Sequence, residues 1–191
     1  MEKAEFRKEA LKKRALYSDV ERAEKSRRIA DRLIKLSLYT DCDVLLLYRE
    51  YNNEVSTRDI LKYALKEGKI VAFPVSFVRN GSSIMEFRRV TSEKDFVRGY
   101  KGIEEPDKDR CELVTVTKDT LMVMPGAAFD YNLNRIGYGK GFYDTYLNKN
   151  HIDNTVALAY ECQMYENIVS QPHDIKPKLI ITEETVYNGN N

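Results

Sequence analysis

The chain opens with polar segments in which apolar positions recur every three or four residues. Phe6, Ala10 and Leu11 stand among Lys, Arg and Glu, as do Ile29, Leu33 and Leu36, a spacing that predicts amphipathic helices over residues 3–16 and 19–37. Ser18 and Asp19 lie between them as N-cap candidates. At residues 43–48 the rhythm becomes a continuous apolar run, the pattern of a strand buried on both faces. Ser56 precedes another helical pattern with Ile60, Leu61, Ala64 and Leu65 on one side, and Gly68 stands where a helix would end in a left-handed residue. Apolar runs at 69–74, 121–125, 155–160 and 178–182 supply further strands, with a short helix from about Phe142. Strands alternating with helices predict an α/β fold with a largely parallel central sheet. Residues 77–116 are less regular: Asn80-Gly81 marks a turn and residues 83–88 a hairpin strand. No linker or repeat interrupts the pattern, so an added hairpin within one domain over residues 1–191 is the expectation.

Charge changes the picture little. The chain has 31 Lys+Arg against 30 Asp+Glu, a formal net charge of +1, so no global field selects nucleic acid or an anionic membrane, and any anion site must be local. Cys42, Cys111 and Cys162 are far apart and lack the close pairs of structural zinc sites. They fit a reducing compartment and are expected as buried small apolar residues. Residues 1–14 are charged throughout, and no run approaches the roughly 20 apolar residues of a membrane span. A cytoplasmic monomer or weak dimer is the expectation.

The chemistry concentrates in residues 125–144, PGAAFDYNLNRIGYGKGFYD, directly after a strand and running into a helix, where α/β sheets bind ligands. Gly137, Gly139 and Gly141 let backbone approach a phosphate chain, and Arg135 and Lys140 add charge from the loop itself. The spacing is neither the dinucleotide fingerprint nor the P-loop, since Lys140 is followed by glycine instead of Ser or Thr. Phosphate cradle and tight structural turn both fit at this point. Tyr131, Tyr138, Phe142 and Tyr143 suit stacking on a flat ring, whereas Phe129 is expected in the core. Asp144 suits either magnesium or the first turn of a helix. Lys3 and Arg7 share one helix face, either converging on a phosphate or simply solvated.

This segment resembles the signature of the 5-formyltetrahydrofolate cyclo-ligase family, in which Pro-Gly-x-x-Phe-Asp is followed by Arg-x-Gly-x-Gly-x-Gly-x-Tyr-Asp. Arg135, Gly137, Gly139, Gly141, Tyr143 and Asp144 match in place; so do Lys3 with Arg7, Glu54 with Thr57, Glu105-Pro106, His173-Asp174 and Thr182-Glu183. The resemblance implies a three-layer α/β/α fold and the ATP-dependent closure of 5-formyltetrahydrofolate to 5,10-methenyltetrahydrofolate, with Mg2+. By that resemblance Lys3, Arg7 and residues Arg135, Ile136, Gly137, Tyr138, Gly139, Lys140, Gly141, Phe142 and Tyr143 would hold ATP. Glu54, with Tyr138, Phe142 and Tyr143, would hold the folate, with Arg49 added for its spacing to Glu54, and Asp144 and Asp174 would hold magnesium. Arg135 and Lys140 are the candidates for stabilising the γ-phosphate, and alanine at either is expected to remove turnover and leave the fold intact. His173 reads as a loop residue beside Asp174.

Two departures stand out. Leu133 occupies a usual glycine position, so the turn's left-handed residue is expected to move to Asn132 or Asn134, and Phe142 replaces a common tyrosine and its hydroxyl. Two other classes share parts of the pattern. A small-molecule kinase would share the basic glycine loop, and a noncatalytic RNA-binding module would use the basic first helices with a tyrosine platform. The balanced net charge and the lack of an RNA-recognition motif speak against the second.

Overall fold

The continuous apolar runs pair with one another. In the computed structural model, which describes residues 1–99, 102–172 and 174–189, β1 (Val44–Leu46) lies between β2 (Ile70–Arg79) and β6 (Thr120–Met124), parallel to both. β9 (Asn154–Leu158) and β11 (Leu179–Ile181) extend the parallel set beyond β6. Antiparallel strands close both edges, β3 (Ser82–Arg89) on β2 and β12 (Val186–Tyr187) on β11. The seven-stranded order is β12-β11-β9-β6-β1-β2-β3.

Alternation along these strands loads both faces. Leu45, Val71, Phe73, Leu121, Val123 and Val156 join Ile29, Ala30 and Leu33 of α2 (Asp19–Leu33) and Ile60, Leu61 and Ala64 of α4 (Arg58–Lys66). Val44, Leu46, Ala72, Met122 and Met124 join Phe87 and Leu147 of α5 (Phe142–Asn150) on the opposite face. The result is the expected layering of helix, sheet and helix. Ser18 caps α2 through a reciprocal pair with Glu21, and Gly68 ends α4 at φ +77, as the sequence predicts. No helix among the described residues is long and apolar enough to cross a membrane.

α1 (Lys3–Arg14) packs elsewhere. Its Phe6 and Ala10 rest on Ala128, Ile136 and Ile168, beside a small sheet of β10 (Met164–Tyr165), β7 (Ala128–Asp130) and β8 (Arg135–Ile136). The third buried position of α1 is Arg14 and not Leu11. A separate hairpin, β4 (Phe96–Arg98) with β5 (Glu104–Pro106), leans on β2 through the edge contact of Phe96 with Phe73 at 4.9 Å.

Two sequence expectations are corrected here. The helix expected to reach residue 37 stops at Leu33, and a fresh turn, α3 (Ser37–Thr40), follows Leu36, whose backbone is extended. That break tucks Tyr39 against the core, where its hydroxyl donates to Glu67 at 2.9 Å. The second concerns the turn after β7: Leu133 itself is left-handed, at φ +64, and neither Asn132 nor Asn134 is. The Asp130 carboxylate accepts from the Asn132 and Asn134 amides at 3.0 and 2.8 Å, which leaves the left-handed step to the residue between them. Burial of Leu133 among Phe129, Ala157 and Ile180 offsets the roughly 1–2 kcal/mol that such a conformation costs.

Candidate functional site

After β1 the chain moves to β2 on one side, then returns to place β6 on the other. Loops leaving the C-terminal ends of β1 and β6 therefore diverge and open a crevice. A cavity of about 700 Å³ lies there, lined by residues of both loops, of α1, of the β2 to β5 region and of the segment around residue 171. Every site residue expected from the sequence lines it: Lys3, Arg7, Arg49, Glu54, residues 135–143, Asp144 and Asp174. His173 lies outside the described residues.

The segment from Pro125 to Gly141 is shaped by a few contacts. A side chain at Gly126 would begin 2.4 Å from Cζ of Phe129, so only glycine lets that core ring fold back under the loop. The Asp130 carboxylate also accepts from Asn134 Nδ2 and the Ile168 amide, at 2.8 and 3.0 Å, which explains the Phe-Asp pair as scaffold. Gly139 and Gly141 have φ of +86 and +65, so the loop enters α5 through left-handed steps that leave its first amides open. The helix's first described bond is from the Thr145 amide to the Gly141 carbonyl at 2.9 Å.

Cations gather around this helix start. Arg7 Nε donates to the Gly137 carbonyl at 2.8 Å, and Lys3 Nζ pairs with Asp174 at 2.5 Å. Arg7 thus meets the glycine loop, and Lys3 the segment that carries Asp174. Lys140 is exposed at the cavity wall. Arg135 differs, being buried in β8: its guanidinium donates to both Asp144 oxygens, at 3.1 and 3.2 Å, and to the Pro125 carbonyl at 3.2 Å.

Asp144 and Asp174 are the oxygen donors that suit a magnesium ion. The Ile175 amide donates to Asp144 Oδ1 at 3.1 Å, which joins the two loops beside Asp174. No cluster of three His, Cys, Asp or Glu stands together among the described residues. Each of the two carboxylates already faces a cation, Asp144 with Arg135 and Asp174 with Lys3, and they are the residues that could serve an ion which takes one or two carboxylates.

A second group of contacts surrounds Glu54. This side chain is 7% exposed; its Oε2 accepts from the Tyr51 amide at 2.8 Å, and its Oε1 has no hydrogen-bond partner. Burial raises its pKa to about 7, against the pull of the Tyr138 hydroxyl, the Arg14 charge and the Tyr51 amide. Burial also lifts the phenols of Tyr138 and Tyr143 far above their usual value, with the Glu54 charge adding to both. Tyr51 meets Tyr138 edge-on, ring centroids 6.4 Å apart. Arg49 is buried in ion pairs with Glu93 and Glu104, at 2.6 and 2.7 Å, and its guanidinium sits 4.3 Å from the Phe96 ring centroid.

Sequence reasoning missed Tyr48, Tyr51, Asn52, Ser76, Glu104 and Gln171 on the wall, and Arg14 behind it. Only Arg14 left a trace, since Lys3, Arg7, Ala10 and Arg14 follow the repeat of one helix face.

The comparisons agree with one another. Residues 1–183 match the model of the 5-formyltetrahydrofolate cyclo-ligase family. The 5-formyltetrahydrofolate cyclo-ligase of Mus musculus is 30% identical over 182 residues, covering 90% of this chain and 88% of that one. A probable 5-formyltetrahydrofolate cyclo-ligase of Schizosaccharomyces pombe is 35% identical over 124 residues, 63% of this chain and 59% of that relative, so the match spans less than two thirds of it. The NMR structure of Aquifex aeolicus 5,10-methenyltetrahydrofolate synthetase is similar at a TM-score of 0.83 and 30% identity, covering 100% of this chain and 94% of that chain.

Proposed function

This chain belongs to the 5-formyltetrahydrofolate cyclo-ligase family, and from that premise we propose that it closes 5-formyltetrahydrofolate to 5,10-methenyltetrahydrofolate at the expense of ATP. The observation that carries this is the convergence, in one cavity, of a basic glycine loop at a helix start with a buried, half-unpartnered carboxyl among aromatic rings. The first suits a triphosphate; the second suits a flat heterocycle with N–H donors.

A formamide oxygen is a poor leaving group, so ring closure requires it to become a phosphate ester. The formyl oxygen attacks the γ-phosphorus, the bond to the bridging oxygen breaks, and ADP departs. N10 then attacks the formyl carbon and gives up its proton, and the carbon–oxygen bond breaks to release phosphate. Such a transfer needs alignment and charge neutralisation and no protein nucleophile. Lys3, Arg7, Lys140 and the open amides of α5 would bind the phosphates. Arg135 would hold Asp144 in place and contribute charge from behind. Glu54 Oε1 would accept a hydrogen bond from the pterin, with Tyr138, Phe142 and Tyr143 stacking around it; the aromatic face of Phe142 serves that packing without a hydroxyl. Magnesium, held by Asp144 and Asp174, would supply charge neutralisation to the phosphate oxygens.

The test is the absorbance of the methenyl product, with ADP measured in parallel. Product is expected only with both MgATP and 5-formyltetrahydrofolate present, and ADP only when the folate is added. ADP formation independent of the folate would point to a different ATP-using enzyme.

A further inference from the structure

Arg14 is 1% exposed and does not line the cavity. A buried guanidinium is costly unless its donors are satisfied; here Nε has no partner, and the partners of the two terminal nitrogens come from both loops of the crevice. Nη2 donates to the Tyr138 hydroxyl at 2.9 Å and to the Asn52 carbonyl, and Nη1 reaches the Gly126 carbonyl at 3.5 Å. Asn52 and Asn53 are both left-handed, at φ +48 and +61, so the loop after β1 is strained where Arg14 holds it. A phenol oxygen that accepts from arginine keeps its own proton for another acceptor. Glu54 is the acceptor beside it: its Oε1 has no hydrogen-bond partner, and the Tyr138 hydroxyl pulls its pKa down against burial.

We infer that Arg14 is a positioning residue for the folate side of the cavity. It clamps the loop after β1 to the glycine loop and fixes the Tyr138 hydroxyl on the Glu54 side of the cavity without lining that cavity itself. Only the identity of the ligand rests on the function proposed above.

The groups that act on Glu54 are Arg14 from α1, Tyr138 from the glycine loop, Tyr143 from α5, and Tyr48 and Glu50 from its own loop. Arg14 is the cation among them, and it draws the Glu54 pKa down against burial and Glu50. Its removal therefore moves that titration upward and protonates Glu54 at neutral pH.

Arg14→Met keeps the buried volume and removes charge and donors; Arg14→Lys keeps the charge and reaches fewer acceptors. Three readouts apply: the acid limb of kcat/KM for 5-formyltetrahydrofolate, the KM values for folate and MgATP taken separately, and the Glu54 carboxyl titration followed by 13C NMR without ligand. For Arg14→Met the limb and the NMR midpoint should rise by roughly one pH unit. Folate KM should rise about tenfold, the effect of losing one charge-assisted hydrogen bond, with the ATP KM nearly unchanged. Arg14→Lys should return the midpoint close to the parent while folate KM stays raised. An Arg14→Met protein with parental midpoint and folate KM, and only a lower Tm, overturns the proposal. Should Arg14→Met fail to fold, Arg14→Lys decides it: a parental folate KM overturns it, a raised one with a parental midpoint supports it. A parent that forms no methenyl product refutes the proposed reaction, and the NMR midpoints then still decide the role of Arg14.

Discussion

Glu54 shows how a buried carboxyl costs stability. Its pKa is about 7 when folded against 4.5 for the ordinary carboxyl, so the folded chain binds a proton that the unfolded chain releases. The associated stability is therefore present below pH 4.5 and is lost as pH rises through 7, by about 3 kcal/mol at most. Glu54→Gln should accordingly gain stability relative to the parent as pH rises from 4 to 8 in urea denaturation, while losing folate affinity. Arg135 and Lys140 should also separate. Lys140→Ala removes an exposed side chain, so turnover should fall at least tenfold with Tm unchanged. Arg135→Ala leaves the part-buried Asp144 carboxylate and the buried Pro125 carbonyl without their donor, so it should lose turnover and about 2–4 kcal/mol of stability, contrary to the sequence-based expectation of an intact fold. Lys3, Arg7, Glu54 and the glycines came from the sequence through the family resemblance, since type and spacing alone left each of them open, and all of them line the cavity. Arg14 left only its place in the helical repeat, because Lys12, Lys13 and Arg14 read together as the charged end of a helix, and its partners lie on loops 38 and 112 positions away.

Among the elements, α1 is a carrier. Phe6, 8% exposed and edge-on to Tyr165 at 5.2 Å, anchors the helix that presents Lys3 and Arg7. Phe6→Ala should cost about 3 kcal/mol and raise the KM for ATP more than that for folate in steady-state assays. The long elements of the main sheet could be read in advance, because continuous apolar runs and amphipathic repeats are local signals. The small sheet could not. β7, β8 and β10 are two or three residues each, too short for periodicity, and they exist because Asp130 ties the turn between them and α1 covers one side. The β4–β5 hairpin was missed for the same reason: Phe96 finds its place on Phe73 and under Arg49 only after the sheet has formed.

At the scale of the molecule, the crevice between the loops after β1 and β6 joins six separate stretches of chain around one cavity. A ligand that bridges them stabilises the whole. MgATP at a hundred times its Kd should add about 2.7 kcal/mol, read as a rise in Tm by calorimetry, and chelation of magnesium should remove most of it. Arg7 lies 130 positions before its Gly137 partner. During vectorial synthesis the first helix therefore emerges long before the strands that receive it, and its apolar stripe lacks its cover until Ala128, Ile136 and finally Ile168 leave the ribosome. A nascent chain stalled before that point should be sticky and chaperone-bound, and nucleotide affinity should appear only once the glycine loop and Asp174 have both emerged.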